Sequence, residues 1–314
     1  MILLVWELLK LDKNHIYRMF KNIVKRGRVL ADEPMSNHTS FKIGGPVDVL
    51  VIPGTVEELA NSIRLCKDKG LSYFVMGNGS NLIIRDKGMR GVVIKVSESM
   101  SNVEVKGTKI TAEAGALLSV VSKAALRNSL AGLEFASGIP GSLGGAVAMN
   151  AGAYGGEMKD VVTKALCLDT DGNFIEYENK DIDFGYRQSR VQSENLFVVR
   201  VEMELKEGKY EDIKAYMDEL TKKRTSKQPL HLPSAGSVFR RPEGYFAGKL
   251  IEDSGLKGLT LGGAQVSEKH SGFIVNVGSA KSDDVINLIK VVQKTVSDKY
   301  GVNLQTEVKI MGEE

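Results

Sequence analysis

The chain has 314 residues, of which 42% are hydrophobic and 26% are charged, as expected for a globular protein of two or three domains. Its 42 basic and 39 acidic residues give a net charge of +3, which argues against a dedicated nucleic-acid binder. Glycine is unusually frequent at 33 residues, and without a Gly-x-y repeat this excess indicates sharp turns and close approaches of backbone to a ligand.

The first half of the chain predicts a terminal helix and then short strands interrupted by two helices. Residues 1–28 are basic and partly amphipathic, which is typical of a helix that is either solvated or packed on the protein. In the next predicted helix, Thr55–Lys69, Thr55 and Glu58 form a capping box and Gly70 follows as the C′ residue. The other elements predicted here are strands at Val47–Ile52, Tyr73–Met76, Leu82–Ile84, Val92–Val96 and Val103–Val105, and a helix at Leu117–Leu130.

The second half predicts a hairpin, two long helices and a final strand. Asp171-Gly172 is a strong turn signal between two β-rich runs. The composition changes near residue 208, where we place a domain boundary. The predicted strands are Lys164–Asp169, Phe174–Glu178, Phe197–Leu205 and Glu307–Met311, the helices are Tyr210–Lys227 and Asp283–Tyr300, and Gln228–Ser237 is a loop.

Two glycine-rich segments are candidates for binding phosphate. Gly77-Asn78-Gly79-Ser80-Asn81 follows a predicted strand and can present successive backbone N–H groups, although a tight β-turn explains it equally well. It is not the dinucleotide fingerprint, because Leu82 occupies the last glycine position and no helix follows. Ser137–Ala146 is a long loop that mixes glycine with large apolar residues, and its Gly144-Gly145-Ala146 end would open a helix facing an anion.

A serine and a group of basic residues form the next candidate. Ser237 lies in no G-x-S-x-G elbow and near no histidine motif, so it suits proton transfer or hydrogen bonding better than acyl chemistry. Arg240 and Arg241, with Arg224 and Lys227 upstream, would bind a diphosphate. Taken alone, the same residues are better explained as a capped turn with surface arginines.

The last two candidates are an arginine and a glutamate. Arg187 lies among the aromatic residues of Phe184–Arg190, where it would either clamp a carboxylate or form a structural ion pair. Glu307 belongs to the C-terminal predicted strand, where a carboxylate usually faces solvent, and no neighbouring residue distinguishes it.

Several motifs follow one another in an order that is typical of a single enzyme family. They are Asn37–Gly45, Gly77–Asn81, Gly138–Ala146, Asn150–Gly155, Phe184–Arg187, Ala235–Phe239 and Glu307-Val308. In this order they resemble the UDP-N-acetylenolpyruvoylglucosamine reductase family, and the resemblance covers about residue 30 to the C-terminus.

The resemblance implies an α+β protein with two parts. A two-part FAD-binding region of the vanillyl-alcohol-oxidase type would be followed by a smaller α+β substrate domain. We expect a helical N-terminal extension at 1–28, FAD-binding subdomains at 29–97 and 98–207, and a UDP-sugar domain at 208–314.

The resemblance also implies an activity. The family's members are bacterial cytosolic flavoenzymes of peptidoglycan precursor synthesis that bind FAD without a covalent bond. NADPH reduces the flavin, and the flavin then reduces the enolpyruvyl ether of UDP-N-acetylglucosamine enolpyruvate to the D-lactyl ether of UDP-N-acetylmuramate.

Site residues follow by matching motif to motif. Arg187 and Glu307 match the positions that bind and polarise the substrate carboxylate, and Ser237 matches the proton donor, a weak acid that must be aligned on a strongly basic intermediate. The residues that would hold the FAD pyrophosphate are Gly77, Asn78, Gly79, Ser80, Asn81, Ile139, Pro140, Gly141, Ser142, Gly145 and Ala146. The expected substrate contacts are Tyr154, Arg224, Lys227, Arg241 and His270.

Two features depart from the family pattern. Only 49 residues separate Arg187 from Ser237, as in a shorter subgroup that lacks a tyrosine-bearing loop over the substrate. How this protein closes its site is therefore open. The segment before Asn37 is longer than expected. We therefore expect that the translation start is placed too far upstream and that residues 1–18 are the extra segment.

Two other functions compete with the reductase. An FAD-dependent oxidase acting on an alcohol would need only the two glycine loops, and would leave Ser237 and Glu307 unexplained. Covalent flavin attachment is common in such oxidases, but neither glycine loop contains a histidine. In a non-catalytic nucleotide-binding module, Arg187, Ser237 and Glu307 would be ordinary surface residues.

The remaining expectations concern metals, compartment and assembly. The four scattered histidines have no metal-ligand spacing, so we expect no metal site. Cys66 and Cys167 form no disulfide framework, the apolar Met1–Trp6 start is too short for a signal peptide, and Phe135–Gly156 is too glycine-rich to span a membrane. We therefore expect a cytoplasmic bacterial protein with NADPH and the UDP-sugar as partners, without nucleic acid or membrane insertion, and a monomer.

Overall fold

The structure is a computed structural model that describes residues 12–314. Its first region contains α1 (Lys13–Ile23), β1 (Arg28–Pro34), β2 (Pro46–Ile52), α2 (Val56–Asp68), β3 (Tyr73–Met76), β4 (Leu82–Ile84) and β5 (Met89–Lys95). Four of these strands form a sheet in the order β1-β2-β5-β3, in which β1 runs antiparallel to β2, and both β2 and β3 run parallel to β5.

The N-terminal helix belongs to the protein core. Ile16 and Phe20 of α1 are buried in the same cluster as Val29 and Val49 of the first sheet. The helix expected within 1–28 is therefore present as a packed helix, and residues 1–11 of that expectation lie outside the described residues.

The capping box predicted at the start of α2 is only half formed. The Thr55 hydroxyl accepts a hydrogen bond from the Glu58 N–H, as predicted. The Glu58 carboxylate instead accepts from the N–H groups of Lys25, Arg26 and Gly54. Through the N–H groups of Lys25 and Arg26, it therefore ties the link between α1 and β1 to this helix.

The second region is built around a five-stranded antiparallel sheet. Its elements are β6 (Val103–Lys106), β7 (Lys109–Glu113), α3 (Leu118–Arg127), β8 (Leu130–Ala131), α4 (Leu143–Ala148), β9 (Gly152–Ala153), β10 (Gly156–Glu157), β11 (Val162–Leu168), β12 (Phe174–Glu178), α5 (Arg190–Ser193), β13 (Phe197–Glu204) and β14 (Lys206–Glu207). The strand order in the sheet is β12-β11-β13-β7-β6. The predicted hairpin around Asp171-Gly172 is confirmed as the β11–β12 pair.

A long helix leads into the last region. The helix α6 (Tyr210–Lys227) has the predicted bounds, but it packs on α3, on β8 and on the 3-10 turn Glu134–Ala136. It therefore lies against the second region rather than within the C-terminal one. The placement of the domain boundary near 208 stays a prediction.

The third region is smaller and has its own core. Its elements are β15 (Ser234–Ser237), α7 (Ala247–Asp253), β16 (Thr260–Leu261), β17 (Ala264–Val266), β18 (Phe273–Asn276), α8 (Ser282–Tyr300) and β19 (Lys309–Met311). The antiparallel sheet has the order β15-β18-β17-β16. The segment Gln228–Ser237, predicted as a loop, therefore ends in a strand.

The final strand returns to the first region and connects the two ends of the fold. β19 pairs in parallel with β4, and Phe41, Ile43 and Ile83 of the first region are buried in the third region's core. These contacts bring residue 307 beside the loop that precedes β4. None of the helices within 12–314 combines the length and apolar composition that a bilayer span requires.

Candidate active site

One large cavity collects most of the residues that the sequence singled out. Its volume is about 1260 Å³, and it is lined by parts of all three regions. Both glycine loops, the Arg187 and Glu307 side chains and the Ser237 side chain face it. The lining residues among the predicted site residues are Gly77, Asn78, Gly79, Ser80, Asn81, Ile139, Pro140, Gly141, Ser142, Gly145, Ala146, Tyr154, Arg187, Arg224, Lys227, Ser237, His270 and Glu307.

The two glycine loops meet along one wall of this cavity. A Cβ on Gly77 would lie 2.1 Å from Ser142 Oγ, so a larger residue at this position would require the Ser142 side chain to move. The Asn78 amide donates to the Pro140 carbonyl oxygen at 3.3 Å. None of the hydrogen bonds within residues 12–314 uses a backbone N–H of Gly77–Asn81 as its donor, so these groups are available to a pyrophosphate. The residues present therefore fit the expected cofactor.

Gly79 holds the first loop in a conformation that other residues resist. Its φ is +65°, and a Cβ there would lie 2.2 Å from the backbone oxygen of His38. A non-glycine residue would thus be strained in its backbone and would also collide with the Asn37–Gly45 segment. Asn81, at the end of the loop, donates from Nδ2 to the Glu307 carbonyl oxygen at 3.1 Å.

Arg187 and Glu307 form an ion pair inside the cavity. Arg187 Nε lies 3.0 Å from Glu307 Oε1, and the side chains are 25% and 14% exposed. The Nε–H is not aimed at this oxygen, and among the described residues it has no hydrogen-bond partner. The Nη1 and Nη2 groups donate only weakly, at 3.4 Å, to the Gly152 carbonyl oxygen. The guanidinium therefore retains donors for a carboxylate ligand.

Burial governs the protonation of Glu307. It raises the pKa of the Glu307 carboxyl, while the positive charge of Arg187 opposes that effect. The backbone of Glu307 is fixed on both sides, because its N–H donates to the Val238 carbonyl oxygen at 2.7 Å and its carbonyl oxygen accepts from Asn81. The carboxyl is thus held beside the arginine and the serine strand.

Ser237 projects from an irregular strand. The register of β15 against β18 shifts between Ser234 and Ser237, and Gly236 within this bulge has a φ of +78°. Such bulges re-aim a side chain next to a site. The Ser237 hydroxyl makes a hydrogen bond of 3.3 Å to the Phe239 carbonyl oxygen. This long contact leaves the hydroxyl able to reorient toward a ligand.

His270 lies close to Ser237. Both side chains approach Gly272. A Cβ added at Gly272 would lie 3.0 Å from His270 Cε1 and 3.5 Å from Ser237 Oγ. Burial lowers the pKa of the imidazole, which favours the neutral ring. Its Nδ1 accepts a hydrogen bond from the Gly272 N–H at 3.1 Å, so Nε2 carries the proton of the neutral ring.

Four of the five expected substrate contacts line the cavity. Arg224 is half-buried, and its Nε has no hydrogen-bond partner in the described part of the chain. Tyr154 and Lys227 are exposed at the cavity surface. Arg241 is the exception, because it does not line the cavity: its guanidinium stacks 4.0 Å from the centre of the Phe246 ring and its Nε donates to the Tyr245 carbonyl oxygen.

Two lysines on the cavity wall were not among the predicted site residues. Lys42 belongs to the Asn37–Gly45 motif, and Lys309 lies two residues after Glu307. Because side chains alternate along a strand, the predicted strand Glu307–Met311 would place Lys309 on the same side as Glu307, and this signal in the sequence was not used. Lys42 carries no comparable local signal.

Two family models match the chain. The model described as UDP-N-acetylenolpyruvoylglucosamine reductase, C-terminal domain, matches residues 228–311. The model described as FAD binding domain matches residues 47–178. The predicted α+β fold, with an FAD-binding region followed by a smaller substrate domain, is confirmed.

Named relatives and a solved structure agree with these models. The chain is 55% identical over 304 residues to UDP-N-acetylenolpyruvoylglucosamine reductase of Alkaliphilus oremlandii, covering 97% of this chain and all of that protein. It is 51% identical over 304 residues to the same-named protein of Clostridioides difficile, covering 97% of this chain. The crystal structure of UDP-N-acetylenolpyruvylglucosamine reductase from Thermus caldophilus aligns with a TM-score of 0.78 at 35% identity, covering 91% of this chain and 98% of that one.

Proposed function

Because the chain belongs to the UDP-N-acetylenolpyruvoylglucosamine reductase family, we propose that Arg187, Ser237 and Glu307 carry its reaction in the cavity described above. The protein is an FAD- and NADPH-dependent reductase that converts UDP-N-acetylglucosamine enolpyruvate to UDP-N-acetylmuramate in peptidoglycan precursor synthesis. Membership of this family favours the reductase over the FAD oxidase and over the non-catalytic nucleotide-binding module.

The two glycine loops would hold the cofactor. Gly77–Asn81 would present its backbone N–H groups to the pyrophosphate of FAD, and Ile139–Ala146 would form the facing part of the wall, as their close approach at Gly77 and Ser142 supports. The chemistry that FAD supplies when bound is hydride transfer from NADPH to the methylene carbon of the enolpyruvyl double bond.

Arg187 and Glu307 would bind and polarise the substrate carboxylate. The under-used guanidinium donors of Arg187 suit a planar carboxylate, and the Glu307 ion pair keeps the guanidinium in place. Reduction of the double bond builds negative charge on the carbon beside this carboxylate. A positive group fixed in a largely buried site stabilises that charge more strongly than water does.

Ser237 would supply the proton that completes the reduction. Its hydroxyl faces the cavity from the bulge in β15, and its only described hydrogen bond is the long one to Phe239. Because serine is a weak acid, protonation requires that the hydroxyl be aligned on a strongly basic carbon. Tyr154, Arg224, Lys227 and His270 would contact the rest of the UDP-sugar, and Arg241 would need to move to join them.

The observation that carries this proposal is the convergence of distant segments on one cavity. Arg187, Ser237 and Glu307 come from three separate parts of the chain, and all three face the cavity that the glycine loops line. A nucleotide-binding module would not require an arginine with free donors, a buried carboxyl and a serine hydroxyl at one place.

An anaerobic spectral titration tests the proposed function. We expect NADPH to bleach the flavin absorbance of the purified protein, and UDP-N-acetylglucosamine enolpyruvate to restore it. A flavin that stays reduced until oxygen is admitted would support the oxidase instead. A protein that binds no flavin after incubation with FAD would contradict the cofactor site.

Gly79 provides a separate test of the cofactor wall. We expect Gly79→Ala to lose tightly bound FAD, because the new Cβ would collide with the His38 backbone oxygen. Gly107→Ala is the matched control: its φ is +60°, similar to that of Gly79, and no described atom lies within 4 Å of its Cβ position. The control should lose about 1–2 kcal/mol of stability from backbone strain and keep its flavin. Equal flavin loss in both variants would argue against a specific role for the loop.

Two further points of the function are proposals. We place the enzyme in the bacterial cytoplasm, because Cys66 and Cys167 are buried free thiols in the described chain, as expected in a reducing compartment. Burial raises the pKa of each thiol to about 12, so neither is suited to redox chemistry. We also propose that the protein acts as a monomer.

A further inference from the structure

Asn150 connects the two loops that surround Arg187. Its side chain is 2% exposed and uses its donors and its acceptor. Nδ2 donates to Glu157 Oε2 at 2.9 Å and to the Gly185 carbonyl oxygen at 3.1 Å, and Oδ1 accepts from the Lys159 N–H at 3.0 Å. One amide therefore joins the 150–160 loop to the hairpin that carries Arg187.

These contacts lie close to Arg187 on both sides. Gly185 precedes Arg187 by two residues and pairs with Gln188 to close the hairpin. On the other side, Gly152, which accepts from both Nη groups of Arg187, follows Asn150 by two residues. A displacement of Asn150 would therefore change the hairpin and the acceptor of the guanidinium together.

The backbone at this place is held in an unfavourable conformation. Asn150, Tyr154 and Arg187 have φ values of +41°, +53° and +56°, in the left-handed region that non-glycine residues seldom adopt. Such conformations persist where surrounding contacts determine them, and they concentrate at functional sites. The Asn150 amide supplies contacts of this kind to both loops.

We propose that Asn150 is a positioning residue that holds Arg187 in the orientation required by the substrate carboxylate. This inference rests on the proposed role of Arg187. Asn150 itself does not line the cavity, so it acts through the hairpin and through Gly152. Small errors in the placement of a binding group are costly in rate, on the order of 10²-fold for a shift of about 1 Å.

The test uses two substitutions that the backbone accepts. Asn150→Gly removes all three side-chain contacts and relieves the left-handed strain. Asn150→Asp keeps the shape but replaces the donor by an oxygen facing the Glu157 carboxylate and the Gly185 carbonyl oxygen. In both variants we expect normal FAD content and normal bleaching by NADPH. The return of the flavin band with UDP-N-acetylglucosamine enolpyruvate should slow by about tenfold or more.

The pH dependence of the Asn150→Asp variant distinguishes positioning from a general loss of structure. Two facing carboxylates share a proton at a raised apparent pKa, and the shared proton restores one donor at this position. The charged groups around Glu157 are Lys159, at 2.9 Å from its carboxylate, Arg187, and Asp160, whose carboxylate accepts from the Glu157 N–H. The deficit of Asn150→Asp relative to the unmodified enzyme should therefore shrink as the pH falls, whereas that of Asn150→Gly should not.

Asn276→Asp is the matched control. Asn276 is also a buried asparagine with three hydrogen bonds, to the Phe41 carbonyl oxygen and from the N–H groups of Gly278 and Ala280. We expect it to lower the melting temperature without changing the ratio of the two half-reactions. Asn150 variants that only lose stability, with the same ratio as this control, would overturn the inference.

A parallel measurement on Arg187→Ala separates this inference from the proposed function. If Arg187→Ala slows the second half-reaction and the Asn150 variants do not, the positioning role is wrong and the proposed function stands. If Arg187→Ala leaves the second half-reaction unchanged, the proposed role of Arg187 itself fails.

Discussion

Ser237→Ala is expected to keep rapid flavin reduction by NADPH and to slow the second half-reaction by on the order of 10² or more. The physical reason is that the hydroxyl would provide the proton for the carbon beside the substrate carboxylate. Stopped-flow measurement of flavin bleaching by NADPH and of flavin recovery with UDP-N-acetylglucosamine enolpyruvate separates the two steps. Only the recovery should change.

The serine prediction has a matched control in the same region. Ser254 follows α7 as its C-cap, and its hydroxyl donates to the Leu250 carbonyl oxygen at 2.7 Å, away from the cavity lining. Ser254→Ala should leave both half-reactions at their original rates. Flavin recovery at the unmodified rate in Ser237→Ala would remove Ser237 from the chemistry and leave the proton donor to be found elsewhere.

Glu307→Gln is expected to slow the second half-reaction by on the order of 10²-fold while FAD content stays normal. The substitution keeps the size and shape of the side chain and one acceptor oxygen, but it replaces the other oxygen by an NH2 donor and removes the charge that holds Arg187. Loss of a single pre-organised electrostatic contact in a buried site typically has an effect of about this size. Flavin absorbance of the purified variant and the rate of flavin recovery with substrate are the two measurements.

Glu313→Gln serves as the control for this charge change. Glu313 lies just beyond β19, is exposed and forms an ion pair with Arg90 at 3.2 Å. It should behave as the unmodified enzyme in both half-reactions. If Glu307→Gln instead emerges without flavin, the carboxylate has a structural role beside the Asn81 loop, to which its backbone is hydrogen bonded.

Elements with strong local signals were predicted closely. The helix Tyr210–Lys227 has the predicted bounds, and the last helix, Ser282–Tyr300, begins one residue earlier than expected and ends at Tyr300 as predicted, with Gly301 as its C-cap. The helix Leu117–Leu130 was predicted too long, because Leu130 begins a short strand paired with β14. Here a tertiary pairing overrides the helical pattern, since a strand of two residues carries no periodicity of its own.

The short strands of the third region were missed for a similar reason. β15 lies in the segment Gln228–Ser237, which was predicted as a loop containing Pro229 and Pro233, yet it pairs with β18 through a bulge. The helix Ala247–Asp253 has only seven residues, too few to produce a clear helical period. Both elements exist because they pack on the rest of the region rather than because of their own propensity.

The candidate site was also predicted only in part from the sequence. The glycine loops and the motif carrying Ser237 were recognisable from their residues, and the cavity brings them together. The ion pair between Arg187 and Glu307 was not predicted, because no local feature connects residues so far apart. Arg241 stays a prediction as a substrate contact, since its guanidinium stacks on Phe246 and does not line the cavity.

The amino-acid sequence alone determined the positions of the glycine loops, the long helices and the polar residues suited to the chemistry, because these depend on neighbours along the chain. The tertiary structure alone decided which of those residues meet. The parallel pairing of β19 with β4 brings Glu307 beside Asn81, and the Asn150 amide joins the hairpin of Arg187 to the preceding loop. Such contacts depend on how distant segments pack, and packing of this kind has no local sequence signal.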